Sequence, residues 1–216
     1  MNSDEATHRW GKALATVTAL VAWVSLATQV KVAFANLDLL GGTPGLAIWR
    51  LLGFFTILTN FLIALAMTIR ASGRWPHNWP DERHVLGALT VSIALVGAVY
   101  HAVLAKLWNP VGLHWWSDQG LHTGVPMLFG LYWFAFAPKS GLRWFDTLQW
   151  MLYPSAYAMY ALTRGALDGW YPYPFIDVGK LGYPAVLANV AGLALAVGFG
   201  ASVLIGYARW QDRHLV

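Results

Sequence analysis

The sequence predicts an all-α polytopic membrane protein, one bundle of six transmembrane helices spanning residues 1–216, with both termini on the cytoplasmic side. Three observations lead there. The chain is 57% hydrophobic and only 11% charged, where soluble domains carry roughly 25% charged residues. Six apolar runs recur along it, each of about 18 residues or more and so able to cross about 30 Å of hydrocarbon as a helix. Basic residues gather on alternate connections, and the side that holds them is the cytoplasm.

The first run, Ala13 to Phe34, follows Arg9 and Lys12. Ala33-Phe34-Ala35 has the look of a signal-peptide cleavage site, but cleavage would misplace the C-terminus, so the run is expected to be retained. The second run, Leu46 to Ile69, and the third, Val85 to Leu107, are separated by Arg70, Arg74 and Arg83. The fourth, Gly120 to Ala137, is followed by Lys139 and Arg143, then by the fifth, Phe145 to Leu162, and the sixth, Tyr183 to Tyr207, with Arg209 and Arg213 beyond it. The other three connections share Lys31, Arg50, Lys106, Arg164 and Lys180. Many of the 13 tryptophans, among them Trp10, Trp49, Trp108, Trp115 and Trp170, flank these runs, where indole rings favour the headgroup region.

No cysteine is present, which excludes disulfides, thiolate nucleophiles and cysteine-ligated metals in this chain. The net charge of +4 reflects the loop asymmetry and forms no cluster suited to nucleic acid. The expected partners are membrane lipids.

Polar residues inside apolar runs are costly, so each needs a reason. In FFTILTNF, Thr56, Thr59 and Asn60 fall near the bilayer midplane if the second run is one helix, and Thr56 shares a face with Asn60. Helix packing is one reading of them. His101 in the third run reads alone as a core histidine. His122 differs, because Asp118, four residues earlier, is placed to accept one ring proton and fix the tautomer, as a general base requires. A start of the fourth helix near Leu113, with Asn109 and Pro110 as cap and first position, would bring His122 level with Thr56. The connection GWYPYPFIDVGK is dense in rings and prolines and reads as a lid or an interfacial anchor. A metal reading draws on His101, His114, Asp118 and His122, although no tight ligand motif such as HExxH is present.

FFTILTN, DQGLHT and YPYPFID, in that order and spacing, resemble the androgen-induced and androgen-dependent family of integral membrane hydrolases. That family hydrolyses fatty acid esters of hydroxy fatty acids with a threonine nucleophile and a histidine, and uses no cofactor. The resemblance implies Thr56 as nucleophile and His122 as base, and it matches Tyr173, Pro174, Phe175 and Asp177 to an aromatic–acidic segment. Asp118 and Gln119 depart from the family pattern, so an obligatory Asp–His pair is not part of it. On this reading Asp118 orients His122, Asn60 donates to the oxyanion, and Thr59, His101, Tyr173, Phe175 and Asp177 are pocket candidates. The implied activity is hydrolysis of lipid acyl esters within the membrane; a non-enzymatic lipid-binding or transport protein is the alternative.

Overall fold

The computed structural model describes residues 3–37, 42–73, 75–107 and 109–214, so Arg74 and Trp108 lie outside the described residues. Those described form helices joined by short connections, with no strand among them. The helices are α1 (Ser3–Ala35), α2 (Pro44–Leu51), α3 (Phe55–Ser72), α4 (Glu82–Ala102), α5 (Leu113–Gln119), α6 (Val125–Phe136), α7 (Asp146–Asp168) and α8 (Val178–His214). Short 3-10 turns occupy Leu104–Lys106 and Pro174–Ile176, and a π-helical turn, Gly120–Gly124, joins α5 to α6. Four of the helical stretches are long and apolar enough to cross a membrane: Glu5–Ala35, Phe55–Ser72, Glu82–Lys106 and Val178–His214.

The remaining two predicted runs take other forms. The stretch from Leu113 to Phe136 is long but interrupted by the π turn. In α7, the apolar face is diluted by Asp146, Arg164 and Asp168, all on the helix itself.

One expectation of continuity is corrected. The second run is not one helix from Leu46 to Ile69: it breaks at Leu52–Phe54 between α2 and α3. Two tyrosines of α7 stabilise the break, because Tyr160 donates to Leu52 O at 3.1 Å and Tyr157 to Gly53 O at 2.8 Å, satisfying carbonyls that the helix no longer uses. Gly53 is required there, since a Cβ would sit 2.7 Å from the Trp170 ring. The fourth run becomes helical at Leu113, the earlier of its two expected starts, but its cap is Gly112 at φ +59°, and Asn109 and Pro110 stay outside it.

The π turn also has a local cause. Pro126 has no N–H to offer the carbonyl of His122 four residues back, so the ladder there must open. Close neighbours hold the widened turn: a Cβ on Gly120 would lie 2.0 Å from Ser25 Oγ of α1.

Helix α4 is the axis of the bundle, packed against α3, α6, α7 and α8, while α1 packs on α2, α3, α5 and α6. Between them Phe129, Tyr132, Trp133 and Trp150 are fully buried. The outward faces are apolar and bare, with Leu20, Met127, Leu152, Met159, Leu195 and Phe199 all exposed. A soluble protein would not leave this much large apolar surface in water. At the end of the bundle where α3 finishes and α4 begins, Arg70 pairs with Glu82 at 3.0 Å and donates to Tyr132 Oη at 2.7 Å. At the same end Lys139 donates to the carbonyls of Trp133 and Ala137, both at 2.9 Å, where the negative end of α6 favours a cation.

Candidate functional site

The break before α3 decides the setting of Thr56. With Phe54 as N-cap, Thr56 lies in the first turn, where its N–H has no acceptor within the helix. That N–H donates to Tyr173 Oη at 3.3 Å, and Thr56 Oγ1 lies 3.4 Å from the same oxygen. Thr56 is therefore not deep in a continuous helix as the run suggested. Tyr173 is fixed by rings on both sides, edge-on to Phe54 at 5.7 Å and stacked on Phe175 at 5.2 Å. The aromatic connection thus reaches the site through Tyr173 and Phe175.

Asn60, one turn on, donates through Nδ2 to Thr56 O at 2.8 Å and to Leu121 O at 3.2 Å. Both amide hydrogens are committed, which corrects its expected role as an oxyanion donor. It is instead a strap between the turn bearing Thr56 and the residue before His122. Its Oδ1 is buried without a hydrogen-bond partner. Thr59 is fully buried and bonded to Tyr153 Oη at 3.0 Å.

The π turn carries His122 with its Nδ1 at 2.9 Å from Asp118 O and 3.3 Å from Asp118 Oδ1. A carbonyl oxygen only accepts, so Nδ1 carries a proton, and in the neutral ring the lone pair is on Nε2. Tyr100 of α4 completes the arrangement. Its hydroxyl donates to Asp118 Oδ2, and its ring stacks on His122 at 4.1 Å with 14° between planes. Asp118 is 2% exposed and His122 8%, so the group is held almost out of water.

Two cavities meet at Thr56. The larger, about 370 Å³, is walled mainly by apolar side chains of α4, α7 and α8, with Thr56, Tyr173, Phe175 and Leu104 also in its lining. The smaller, about 200 Å³, is lined by Gln29, His114, Asp118 and His122 together with Thr56, Tyr173 and Leu104. Thr56 and His122 therefore share one cavity, and Thr59 lines neither.

No family model, curated protein or solved structure matches the chain. The site must be argued from its own chemistry.

Three pocket candidates fall away, Thr59 among them because it lines neither cavity. His101 is exposed, pairs through Nε2 with Thr123 Oγ1 of the π turn at 3.1 Å and lines neither cavity. Asp177 caps α8, accepting from Lys180 N at 3.3 Å and pairing with Lys180 Nζ at 3.2 Å. Among the described residues, no three His, Asp or Glu side chains group as metal ligands would. Tyr100 escaped the sequence reading because an aromatic residue near the end of an apolar run reads as an interfacial anchor. Only the packing of α4 against the π turn reveals it.

Proposed function

We propose that the protein is a multi-pass integral membrane hydrolase that cleaves lipid acyl esters with Thr56 as nucleophile and His122 as general base. The observation that carries the reading is the shared cavity: an available threonine hydroxyl and a histidine with its tautomer set by Asp118 line the same 200 Å³ space. A threonine hydroxyl is a weak nucleophile without such a base. The resemblance to the androgen-induced and androgen-dependent hydrolases leads to the same pair.

In the first step Thr56 Oγ1 attacks the ester carbonyl carbon while His122 Nε2 takes its proton, directly or through one water. The charge on the tetrahedral oxygen is met by the Tyr173 hydroxyl, whose oxygen accepts from the Thr56 N–H and is polarised by it, at the positive end of α3. The carbon–oxygen bond to the alcohol then breaks, and the leaving oxygen takes the proton from His122. Water attacks the acyl-threonine, His122 again accepts a proton, and that proton returns to Thr56 Oγ1 as the carboxylic acid departs.

The same reading counts α2 with α3, and α5 with α6, as single crossings, giving six spans with both termini cytoplasmic and the site in the outer half. Single cysteines placed near residue 77 would then be shielded from an impermeant thiol reagent, and those near 170 would react. The reverse pattern sinks the topology.

A fluorophosphonate probe tests the chemistry. Labelling of the purified protein should be lost in Thr56→Ala and His122→Ala but retained in Thr59→Ala, in parallel with ester hydrolysis. Full hydrolysis by Thr56→Ala would refute the mechanism, and a folded wild-type protein that binds acyl esters without cleaving them would favour the lipid-binding alternative.

A further inference from the structure

The larger cavity is a groove with a direction. Its walls on α8, from Leu187 through Val190 and Ala194 to Val197, recur every three or four residues and so form one face of that helix. On α7 the lining runs from Met151 to Leu162, so on both helices the groove follows the axis for about 15 Å at about 1.5 Å per residue. At one end the connection between the two helices covers it with Tyr173, Phe175 and Ile176, and there Thr56 Oγ1 lies 3.4 Å from Tyr173 Oη. Toward the other end the helices draw together, since a Cβ on Gly198 would meet Met151 Sδ at 3.4 Å.

The side of the groove is open. Among its lining residues only Ser155 and Met159 of α7 and Leu187 of α8 are exposed, which puts the mouth between these two helices. The bare apolar faces of the same helices, with Leu152 and Leu195 exposed, continue beyond it. On a bundle with four helices long and apolar enough to cross a membrane, the medium on those faces is lipid hydrocarbon. Helices α7 and α8 pack on each other, with axes about 8–10 Å apart, so a further helix about 10 Å across does not fit between them, whereas a single hydrocarbon chain does. The polar atoms are placed for such a chain. Tyr157 spends its hydroxyl on Gly53 O and Ser155 is at the rim, so Thr56 and Tyr173 are the polar pair at the covered end. A lipid in the leaflet on that side has the same order, its polar group near the helix ends and its chain toward the bilayer centre.

We propose that the groove is a lateral portal and chain site for lipids already in the bilayer: the chain slides in between α7 and α8 and lies along them, its polar end beside Thr56 and its methyl end toward Met151 and Val197. The hydrolase reading above is needed only for the bond cleaved at Thr56. The side opening sets no upper limit on chain length.

The test uses the full-length protein in phosphatidylcholine vesicles with hexadecyl glycerol ether carrying a diazirine near either the glycerol end or the methyl end. An ether has no carbonyl to attack, so photolabelling reads occupancy alone. The methyl-end probe should label Val96 and Val197, which are buried and line the groove, and the glycerol-end probe Leu104 and Leu162. Leu20 and Met127, exposed and outside the groove, report bulk lipid. In Ala158→Phe or Ala194→Phe, each of which fills the groove, labelling of Val197 relative to Leu20 should fall about tenfold, the factor that about 1.4 kcal/mol of lost fit produces; one folded variant of the two is enough. Label confined to Leu20 and Met127, the two probes in reversed order, or undiminished label in a folded variant overturns the proposal. Hydrolysis of palmitoyl glycerol is followed separately: labelling of the groove without cleavage removes the hydrolase reading and leaves the portal, and cleavage that depends on Thr56 without labelling of the groove removes the portal alone.

Discussion

Replacing Tyr100 by phenylalanine removes one oxygen and leaves the ring that stacks on His122 in place. The lost group donates to Asp118 Oδ2, the carboxylate beside His122 Nδ1. A hydrogen bond to a buried charged group contributes about 1.5–3 kcal/mol, and Asp118 is 2% exposed, so water cannot readily replace it. If that bond serves to aim the carboxylate at the imidazole, the loss appears in the transition state. At about 1.4 kcal/mol per factor of ten, kcat should fall by about 10- to 150-fold. KM should stay nearly constant, because Tyr100 lines neither cavity. The assay is steady-state hydrolysis of lauroyl glycerol, normalised to the fraction of protein that a fluorophosphonate probe titrates. Unfolding temperature is followed in parallel. An unchanged kcat in a variant of lowered stability would make Tyr100 a purely structural residue, and a raised KM at constant kcat would mean that it contacts substrate; either result refutes the positioning argument.

Gly120→Ala should destabilise the bundle by about 1–3 kcal/mol, a usual cost of overpacking, because the new Cβ would lie 2.0 Å from Ser25 Oγ and 3.0 Å from Ser25 Cβ. In a Ser25→Gly background the same change should cost much less, as measured by denaturation in micelles; equal costs in the two backgrounds would show that the contact does not limit the turn. Outside the bundle, Arg83 hydrogen-bonds Asp81 and holds its carboxyl down to about 2, against a smaller opposing effect of burial. A depressed carboxyl stabilises the folded state above its ordinary pKa, and that contribution disappears as pH falls from about 4 to about 2. Asp81→Asn keeps a capping side chain and removes the charge. The gap in unfolding temperature between wild type and variant should therefore be constant from neutral pH down to mildly acidic pH and close toward pH 2, and a gap that persists at pH 2 would contradict the ion-pair account.

What the sequence revealed and what it hid follow from the range of the interactions. Long apolar runs need only their own composition to be helices in lipid, so α1, α4 and α8 fall close to the expected stretches. The polar group His122–Asp118 was also legible, because a helical spacing of four brings the two together without help from elsewhere. The break before α3 was not. Nothing in LLGFF forces it, and the residues that stabilise it, Tyr157, Tyr160 and Trp170, are about 100 residues later in the chain. Asn60 was misassigned for the same reason: its second acceptor, Leu121 O, belongs to another helix. Asp177 looked like a pocket carboxylate, and its capping of α8 became evident only when the helix was seen to start at Val178.

Two departures from regular helix, the break before α3 and the π turn, occur where the chemistry is proposed, and each has a physical use there; a third, the kink at Gly182 of α8 (φ +73°), lines neither cavity. A continuous second helix would spend the Thr56 N–H on the carbonyl of Leu52, four residues back, and leave nothing at the nucleophile for a developing negative charge. Breaking it at Gly53 redirects that amide to the Tyr173 hydroxyl, which it polarises, and turns the positive end of α3 toward Thr56. A regular fourth helix would carry the ring of His122 around with the standard rise and turn; the π turn inserts extra backbone just where Pro126 cannot complete the ladder, and so gives His122 a different aim from its neighbours in α6. Asn60 then joins the two irregular turns through one amide group. Local irregularity is costly enough that two such features, bridged to each other and lining one cavity, are difficult to explain by packing alone. Were the turns merely packing defects, Asn60→Leu, which fills the same space without the two donors, would leave the bundle stable and hydrolysis intact. On the present argument it releases both turns, and hydrolysis is lost well before the fold.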